Sequence, residues 1–323
     1  MGIQRKVYVT RRVPEPGIQI LKAAGCELTF WDSDEAISKD ELIKGINGVD
    51  ALFCMLTDCI DDEVLEAAGP NLKVVSTMSV GYEHIDLKAC EKRNIRVCNT
   101  PNVSTDSVAE LTVALLLLTS RRLLEGVQAV KDGEWGKWKP MWLCGMELAQ
   151  KTVGILGLGR IGYGVARRLK PFGVQKILYH DVCKVAYADD VGACFAEFDT
   201  LLTECDVICI CCNLTPQTKH KFNKAAFEKM KSHAILVNSG RGGVIQHDHL
   251  LEALTSGEIA AAGLDVTDPE PLPKDHPLVK QHNCIVLPHM GSNTWDSRNH
   301  MSETAADNIL SIFDGKTAVG LVQ

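Results

Sequence analysis

One glycine-rich segment of the sequence has the spacing and context of a dinucleotide-binding loop. Gly157-Leu158-Gly159-Arg160-Ile161-Gly162 matches G-x-G-x-x-G, directly follows the apolar run Val153–Leu156 and opens a helical pattern. Glycines at these positions allow a tight turn and close backbone approach, and the helix N-terminus presents N–H groups to a pyrophosphate. Asp181 ends the next predicted strand, 19 residues after Gly162, where a carboxylate accepts hydrogen bonds from ribose hydroxyls. The predicted dinucleotide contacts are Gly157, Gly159, Arg160, Ile161, Gly162 and Asp181; a glycine-rich turn without a ligand is the alternative.

Three residues that can perform acid–base and carboxylate chemistry follow later predicted strands. Arg241 lies in the segment 238–243 after one strand, Glu270 lies in the segment 268–271 after the next, and His289 follows the strand Cys284–Leu287. Ligands of doubly wound sheets bind beyond the carboxyl ends of the strands. We therefore expect the three side chains to lie on the same rim as the glycine-rich loop.

The chemistry of this trio is that of a hydride-transfer enzyme acting on a carboxylic acid. Arg241 can bind a substrate carboxylate through two parallel N–H···O bonds. His289 can exchange a proton with the oxygen on the carbon that exchanges hydride, and Glu270 would favour the imidazolium form and raise the histidine pKa. Taken singly, each residue has an ordinary alternative. Arg241 could form a salt bridge, His289 could be a hydrogen-bonded polar residue, and Glu270 could lie in a solvated loop. Their common position beside a nucleotide site favours the catalytic interpretation.

The elements that position these residues are short strands alternating with helices. Five apolar strand patterns alternate with helical patterns before residue 100, and a second alternation begins at Thr152. Strict alternation of this kind indicates parallel strands joined by crossover helices. The sequence therefore predicts two α/β units, in agreement with the two domains expected from 323 residues. The tryptophan-rich stretch 135–142 fits neither pattern, and we expect an irregular arm there.

Composition excludes several other classes of protein. The 34 basic and 41 acidic residues give a net charge of −7, which is unsuited to binding a nucleic-acid backbone. Thirteen cysteines, an odd number without regular spacing, indicate reduced thiols and a cytoplasmic location rather than a disulfide scaffold. The most apolar run, Val113–Leu118, is far shorter than the ~20 residues of a membrane span. The cysteines are better explained as small buried residues than as ligands, so we assign no metal site.

These motifs resemble those of the D-2-hydroxyacid dehydrogenase family over nearly the whole chain. The matching segments are Gly157–Gly162, Asn238–Gly242, Gly263–Val266, Glu270-Pro271 and Pro288–Ser292. Within the family the chain most resembles the animal group that reduces glyoxylate and hydroxypyruvate, through the segments 76–81, 138–145 and 170–175. Another member, such as one similar to phosphoglycerate dehydrogenase, and a nucleotide-sensing corepressor that works as a binding scaffold remain as alternatives.

The resemblance implies an architecture and further site residues. A Rossmann nucleotide domain (102–288) would be inserted into a flavodoxin-like substrate domain (1–101 and 289–323), with the active site in the cleft between them. Arg241, Glu270 and His289 take the family's substrate-orienting, histidine-tuning and proton-donor positions. Val80 and Gly81 match the loop that meets the substrate carboxylate. The positions that line the nicotinamide side of the cofactor are matched by Asn213, Ser239, Asp265 and Gly291. The family is usually a homodimer, and Trp138 matches an arm that reaches the partner's active site.

The expected activity is reversible hydride transfer between a nicotinamide cofactor and a small 2-oxo acid, with glyoxylate and hydroxypyruvate reduced to glycolate and D-glycerate. The resembling animal group favours NADPH, with glycine and arginine near the end of the second nucleotide-domain strand, where this chain has Asp181 and Val182. A carboxylate there accepts hydrogen bonds from the ribose of NADH and repels a 2′-phosphate, although His180 and Lys184 partly offset that repulsion. We therefore predict NAD(H) as the favoured cofactor, with NADP(H) as the alternative.

Overall fold

The computed structural model describes residues 4–323 and divides into two compact units. One unit extends up to Ser104 and includes Asn293–Gln323, and the other is Thr105–Ser292. The first predicted domain begins at residue 1, and the first three residues of the chain lie outside the described residues. No helix within residues 4–323 is both long enough and apolar enough to cross a membrane.

The first unit contains a parallel sheet of five strands. Its strands are β1 (Lys6–Val9), β2 (Glu27–Phe30), β3 (Ala51–Cys54), β4 (Val74–Thr77) and β5 (Arg96–Cys98). Among the described residues they are arranged in the order β2-β1-β3-β4-β5, which is the flavodoxin-like order of doubly wound sheets. The central strands β3 and β4 are buried along their whole length, as expected for a sheet covered by helices on both faces.

Helices cover both faces of this sheet. They are α1 (Glu15–Ala23), α2 (Lys39–Gly45), α3 (Asp62–Ala68), α4 (Leu87–Lys92) and, from the C-terminal segment, α12 (Trp295–Phe313). Side-chain oxygens of Ser38, Asp61 and Asp86 accept backbone N–H groups and so cap α2, α3 and α4. Helix α12 packs closely on α1, because a Cβ atom at Gly17 would lie 2.3 Å from the Ser302 carbonyl oxygen.

The second unit contains a parallel sheet of seven strands. They are β6 (Thr152–Leu156), β7 (Lys176–His180), β8 (Ala193–Phe195), β9 (Val207–Ile210), β10 (Ile235–Asn238), β11 (Ala261–Leu264) and β12 (Cys284–Val286). In the described chain their order is β12-β11-β10-β9-β6-β7-β8. Counted from β6, this is the 3-2-1-4-5-6 order of a Rossmann fold with one additional strand. The predicted fold class, two doubly wound parallel α/β domains, is confirmed.

Helices and two apolar cores position the strands of this second sheet. The helices are α5 (Thr105–Ser120), α6 (Leu123–Lys131), α7 (Arg160–Leu169), α8 (Phe198–Glu204), α9 (Lys224–Phe227), α10 (His247–Ser256) and α11 (Pro277–Lys280). Side chains of β6 alternate between the cores, so that Ile155 packs in one and Leu156 in the other. The segment 132–151 between α6 and β6, which includes the tryptophan-rich stretch, contains no helix or strand.

Candidate active site

The glycine-rich loop has the geometry that close backbone approach requires. Gly157 has φ +90°, in the region that favours glycine, and a Cβ atom there would lie 2.8 Å from the backbone nitrogen of Cys212. A Cβ atom at Gly162 would lie 2.1 Å from the Gly157 carbonyl oxygen, so that this glycine allows α7 to pack against the loop. At Gly159, in contrast, the space around a Cβ position is open among the described residues. The loop is therefore tightly packed at Gly157 and Gly162 and open at Gly159.

The start of α7 fits the diphosphate of a dinucleotide. Gly159 is the N-terminal cap of α7 and has no side chain that could occupy the first N–H groups of the helix. Arg160 and Ile161 form the first turn, where backbone donors and the helix dipole favour an anion. Gly157, Gly159, Arg160, Ile161 and Gly162 are therefore the residues that would hold the diphosphate.

Asp181 is fixed beside this loop by backbone hydrogen bonds. Its Oδ2 accepts the Leu158 N–H at 2.8 Å, and its Oδ1 accepts the Val182 N–H at 2.7 Å. The Tyr187 hydroxyl donates to the Leu158 carbonyl oxygen at 2.9 Å, so that the N–H and the carbonyl oxygen of Leu158 are both hydrogen-bonded. The carboxylate thus lies beside the glycine-rich loop, where it could accept hydrogen bonds from the ribose hydroxyls of a dinucleotide.

A second loop carries Arg241 at the end of β10. The buried side chain of Asn238 shapes this loop, accepting the Gly240 N–H and donating to the Arg241 carbonyl oxygen, each at 3.0 Å. Arg241 Nη1 donates to the Gly240 carbonyl oxygen at 2.8 Å, which fixes one edge of the guanidinium group. A Cβ atom at Gly242 would lie 2.0 Å from backbone atoms of Thr267, so the loop packs directly on the segment that follows β11.

Asp265, at the end of β11, holds the loop that carries His289. The Asp265 carbonyl oxygen accepts the His289 N–H at 2.9 Å, and its carboxylate oxygens accept the N–H groups of Met290 at 2.8 Å and Gly291 at 2.9 Å. Burial raises the pKa of the Asp265 carboxyl, while these N–H donors act in the opposite direction. His289 itself has φ +52°, a backbone conformation that non-glycine residues adopt only when surrounding contacts impose it. Asp265 supplies those contacts.

Glu270 and His289 are joined by a hydrogen bond. His289 Nδ1 lies 2.9 Å from Glu270 Oε2, and Glu270 Oε1 accepts the Thr267 N–H at 2.8 Å. Burial alone would raise the pKa of Glu270, but the hydrogen bonds from His289 and Thr267 together lower it. A carboxylate can only accept at Nδ1, so Nδ1 bears the proton and Nε2 is the nitrogen that can exchange a proton with a ligand.

The remaining predicted residues lie in three places. In the second unit, Ser239 Oγ lies 2.7 Å from the Thr112 hydroxyl, and Asn213 follows β9. In the first unit, Val80 and Gly81 follow β4, where Asn99 Nδ2 donates to the Val80 carbonyl oxygen at 2.7 Å and fixes the peptide plane of the Gly81 N–H. Trp138 is 84% exposed on the irregular segment after α6.

The structure therefore brings most of the predicted residues to one edge of one sheet. The ends of β6, β7, β9, β10, β11 and β12 carry the glycine-rich loop, Asp181, Asn213, Ser239, Arg241, Asp265, Glu270, His289 and Gly291. Sequence reasoning did not identify Tyr187, Asn238 or Thr267, which hold the loops through side-chain or backbone hydrogen bonds. Only Asn238 gave a signal, since it is a polar residue at the end of a buried strand.

Comparisons with known proteins agree with this geometry. Residues 113–291 match the family model of the D-isomer specific 2-hydroxyacid dehydrogenase, NAD binding domain. The human glyoxylate reductase/hydroxypyruvate reductase is 52% identical over 313 residues, which cover 96% of this chain and 95% of the human protein. A glyoxylate reductase of Thermofilum pendens is 46% identical over 321 residues, 98% of this chain and 94% of its own. Among solved structures, the TT0316 protein of Thermus thermophilus superposes with a TM-score of 0.93 at 39% identity, covering 98% of this chain and all of that one.

Proposed function

The chain belongs to the D-isomer specific 2-hydroxyacid dehydrogenase family and is an NAD(P)-dependent oxidoreductase of 2-oxo acids, and from that premise we propose that its substrates are glyoxylate and hydroxypyruvate. The products are glycolate and D-glycerate. The observation that carries this proposal is the pairing of His289 with Glu270 at 2.9 Å on the sheet edge that holds the glycine-rich loop. Similarity to the human and archaeal reductases supports the choice of substrates.

Each of the three catalytic residues has a separate role in reduction. Arg241 orients the substrate carboxylate, because its guanidinium group can donate two parallel hydrogen bonds. The reduced nicotinamide, when bound, supplies the hydride that is added to the 2-oxo carbon. His289 Nε2 delivers the proton to the oxygen on that carbon, and Glu270 stabilises the imidazolium form before the transfer. Val80 and Gly81 bind the substrate carboxylate through backbone N–H groups.

The nucleotide site favours NAD(H). We assign Thr105–Ser292 as the nucleotide-binding domain, predicted at 102–288, and the other unit as the substrate domain. Asn213, Ser239, Asp265 and Gly291 line the nicotinamide side of the cofactor. The Asp181 carboxylate has lone pairs beyond the two that accept the Leu158 and Val182 N–H groups. Ribose hydroxyls of NADH can donate to these lone pairs, whereas a 2′-phosphate is repelled by the charge.

We also propose a homodimer and a cytosolic location. Helix α6 exposes Leu123, Leu124, Val127 and Val130, and the adjoining segment exposes Trp138 and Met141. An exposed apolar patch of this kind is typical of a protein–protein interface, and a symmetric dimer is the commonest oligomer that would bury it. Trp138 of one subunit then contacts the substrate of the other. The thirteen free thiols suit a reducing compartment.

A panel of 2-oxo acids with both cofactors tests the proposed function. We expect kcat/KM for glyoxylate and hydroxypyruvate to exceed that for pyruvate and for 3-phosphohydroxypyruvate by about tenfold or more, which one lost or added contact can supply. The His289→Ala variant should lose about 10²- to 10⁴-fold in turnover while it still quenches or enhances NADH fluorescence on binding. Preference for the phosphorylated acid would assign the chain to phosphoglycerate chemistry. Tight NADH binding without turnover of any acid would instead indicate a binding scaffold.

A further inference from the structure

Two hydrogen bonds from the segment after β5 fix the peptide planes of the loop after β4. The Thr100 N–H donates to the Ser79 carbonyl oxygen at 2.9 Å, and Asn99 Nδ2 donates to the Val80 carbonyl oxygen at 2.7 Å. A peptide group is planar, so that fixing a carbonyl group also fixes the N–H group of the next residue. These two contacts therefore set the directions of the Val80 and Gly81 N–H groups.

The same two N–H groups are available to a ligand. Val80 and Gly81 are both partly exposed, and within residues 4–323 neither N–H group donates to a protein acceptor. Backbone N–H groups form strong hydrogen bonds with a carboxylate, because the acceptor is charged. Under the proposed function, the orientation of these two groups therefore affects the binding of the substrate carboxylate directly.

The segment 320–323 in turn pairs with the end of β5. The Val322 N–H donates to the Val97 carbonyl oxygen at 2.8 Å, and the Asn99 N–H donates to the Gly320 carbonyl oxygen at 2.8 Å. Strand β5 is the last in the described order β2-β1-β3-β4-β5, and this segment lies along its outer edge. The main chain of Asn99 is therefore attached to the C-terminal segment.

Asn308, on α12, completes this attachment. Its side chain is buried, with 1% exposure. Its Nδ2 donates to the Asn99 carbonyl oxygen at 2.8 Å, and its Oδ1 accepts the Gly320 N–H at 3.0 Å. A Cβ atom at Gly320 would lie 1.8 Å from the Asn99 carbonyl oxygen, so that no side chain fits there. Asn308 and Gly320 together therefore bind both the N–H and the carbonyl oxygen of Asn99.

We propose that Asn308 and Gly320 are positioning residues for substrate binding. They hold the main chain of Asn99 in the place from which its side chain fixes the Val80 carbonyl oxygen and orients the Gly81 N–H. This inference rests on the proposed function, because it takes Val80 and Gly81 as the groups that bind the substrate carboxylate. A displaced loop weakens that contact in the ground state and the transition state alike, which raises KM more than it lowers kcat.

Substrate kinetics of single and double variants test this role. KM and kcat for glyoxylate are measured with saturating NADH for Asn308→Ala, Gly320→Ala, Asn99→Ala and the double variant Asn99→Ala/Asn308→Ala. Val319→Ala is the matched control, because Val319 precedes Gly320 and is 81% exposed. The Kd of NADH and the Tm of each variant show whether it is folded.

The expected result is a rise in KM that is shared between Asn308 and Asn99. Asn308→Ala, Gly320→Ala and Asn99→Ala should each raise KM about tenfold, the effect of one lost hydrogen bond to a charged group. Their kcat should stay within about threefold of wild type, and their Kd for NADH should be unchanged. The double variant should raise KM no more than about threefold beyond Asn99→Ala alone, because residues that act through one contact are not additive. Val319→Ala should behave as wild type.

Two outcomes would overturn this inference alone. One is a wild-type KM in folded Asn308→Ala and Gly320→Ala, and the other is a double variant whose KM rises by the product of the two single effects, since Asn308 would then act independently of Asn99. If Asn308→Ala does not fold, the same comparison is made with Gly320→Ala, alone and combined with Asn99→Ala. A wild-type chain that turns over no 2-oxo acid would instead overturn the proposed function, and this inference with it.

Discussion

Glu270 Oε2 lies 2.9 Å from His289 Nδ1, and the second oxygen of the same carboxylate is held by the Thr267 N–H. Both partners are one-third exposed, so the pair is accessible to a substrate while it remains ordered. The pKa of Glu270 is below its ordinary value, because the hydrogen bonds to its charged form outweigh the effect of burial. Glu270 is therefore ionised throughout the neutral range and can accept a hydrogen bond from His289 there.

Glu270→Gln should move the pH profile of reduction to lower pH. In the proposed mechanism reduction requires the imidazolium form of His289, and an amide does not stabilise that cation as a carboxylate does. We expect the alkaline limb of kcat/KM for glyoxylate to move to lower pH, with lower activity at neutral pH. Rates measured across the pH range with saturating NADH check this. Glu228→Gln, an exposed substitution at the end of α9, is the control, and an unmoved limb would place Glu270 outside the catalytic pair.

Arg241→Lys should impair the enzyme although the positive charge is retained. A lysine ammonium is a point charge without the planar fork of Arg241, which can donate two parallel bonds to a carboxylate while its Nη1 also donates to the Gly240 carbonyl oxygen. Loss of one charged hydrogen bond predicts a fall in kcat/KM of about 10- to 100-fold. Steady-state rates with glyoxylate test this, and NADH binding should be retained. Wild-type kcat/KM in this variant would exclude the carboxylate-binding role.

Trp138→Ala should alter substrate selectivity if the exposed arm completes the active site of a second subunit. The ratio of kcat/KM for hydroxypyruvate to that for glyoxylate is the measurement, with Trp135→Ala as the control because Trp135 is 71% exposed on the same segment. Mixed subunits of Trp138→Ala and His289→Ala should regain activity toward the substrate that Trp138→Ala turns over poorly, since each heterodimer then has one intact site; random exchange gives about a quarter of the wild-type rate. No recovery after demonstrated subunit exchange would contradict a shared site.

Asp206→Asn should destabilise the nucleotide domain in a pH-dependent manner. Burial opposes ionisation of Asp206, but hydrogen bonds from Lys231, His233 and the Thr152 N–H lower its pKa to about 2. A carboxyl group whose pKa is lower in the folded state than in the unfolded state stabilises the fold above the unfolded pKa of 3.8. This contribution is lost as the pH falls toward 2.

We expect Asp206→Asn to lower the free energy of unfolding by about 2 kcal/mol at pH 7, seen as a lower Tm. Below about pH 4 the difference from wild type should be smaller. Asp199→Asn is the control, since its pair with Lys229 is exposed on both sides and should contribute less than about 1 kcal/mol. Equal destabilisation at all pH values would show that packing, rather than the charge, is responsible.

The sequence was sufficient for the alternating architecture, because buried parallel strands are continuous apolar runs. The predicted strand Val153–Leu156 is observed within β6 (Thr152–Leu156), whereas the predicted strand Cys284–Leu287 ends at Val286. Strand β8 was not predicted, since it has three residues at a sheet edge and exposes Cys194. Helix α6 was also missed, because its apolar residues face outward and its pattern is not that of a core helix.

The candidate site was predictable as a set of residues but not as a set of contacts. Residue type and position after a strand indicated Arg241, Glu270 and His289. The contacts that fix them depend on loop conformations, such as the φ of +52° at His289, and no local pattern encodes these. The resemblance predicts that Asp265 lines the nicotinamide side of the cofactor, and the structure adds that its carboxylate accepts two N–H groups of the His289 loop.

The proposed preference for NADH over NADPH rests on Asp181. We expect the wild-type chain to show a higher kcat/KM with NADH than with NADPH for glyoxylate reduction, because the carboxylate accepts from ribose hydroxyls and repels a 2′-phosphate. Asp181→Gly should shift the ratio of the two kcat/KM values toward NADPH by about tenfold, the effect of about 1.4 kcal/mol. A clear NADPH preference in the wild-type chain would contradict this role of Asp181.

Asp181→Asn separates the charge of this side chain from its structural contact. Glycine removes both the charge and the oxygen that accepts the Leu158 N–H at 2.8 Å, so it should weaken binding of both cofactors as well as change their ratio. Asparagine retains one oxygen that can accept the Leu158 N–H, but it removes the charge and the second oxygen, which accepts the Val182 N–H at 2.7 Å. If charge repulsion sets the preference, the asparagine variant should show the same change in ratio as the glycine variant, with a smaller loss of NADH affinity. A ratio that changes only with glycine would mean that loop geometry, and not charge, selects the cofactor.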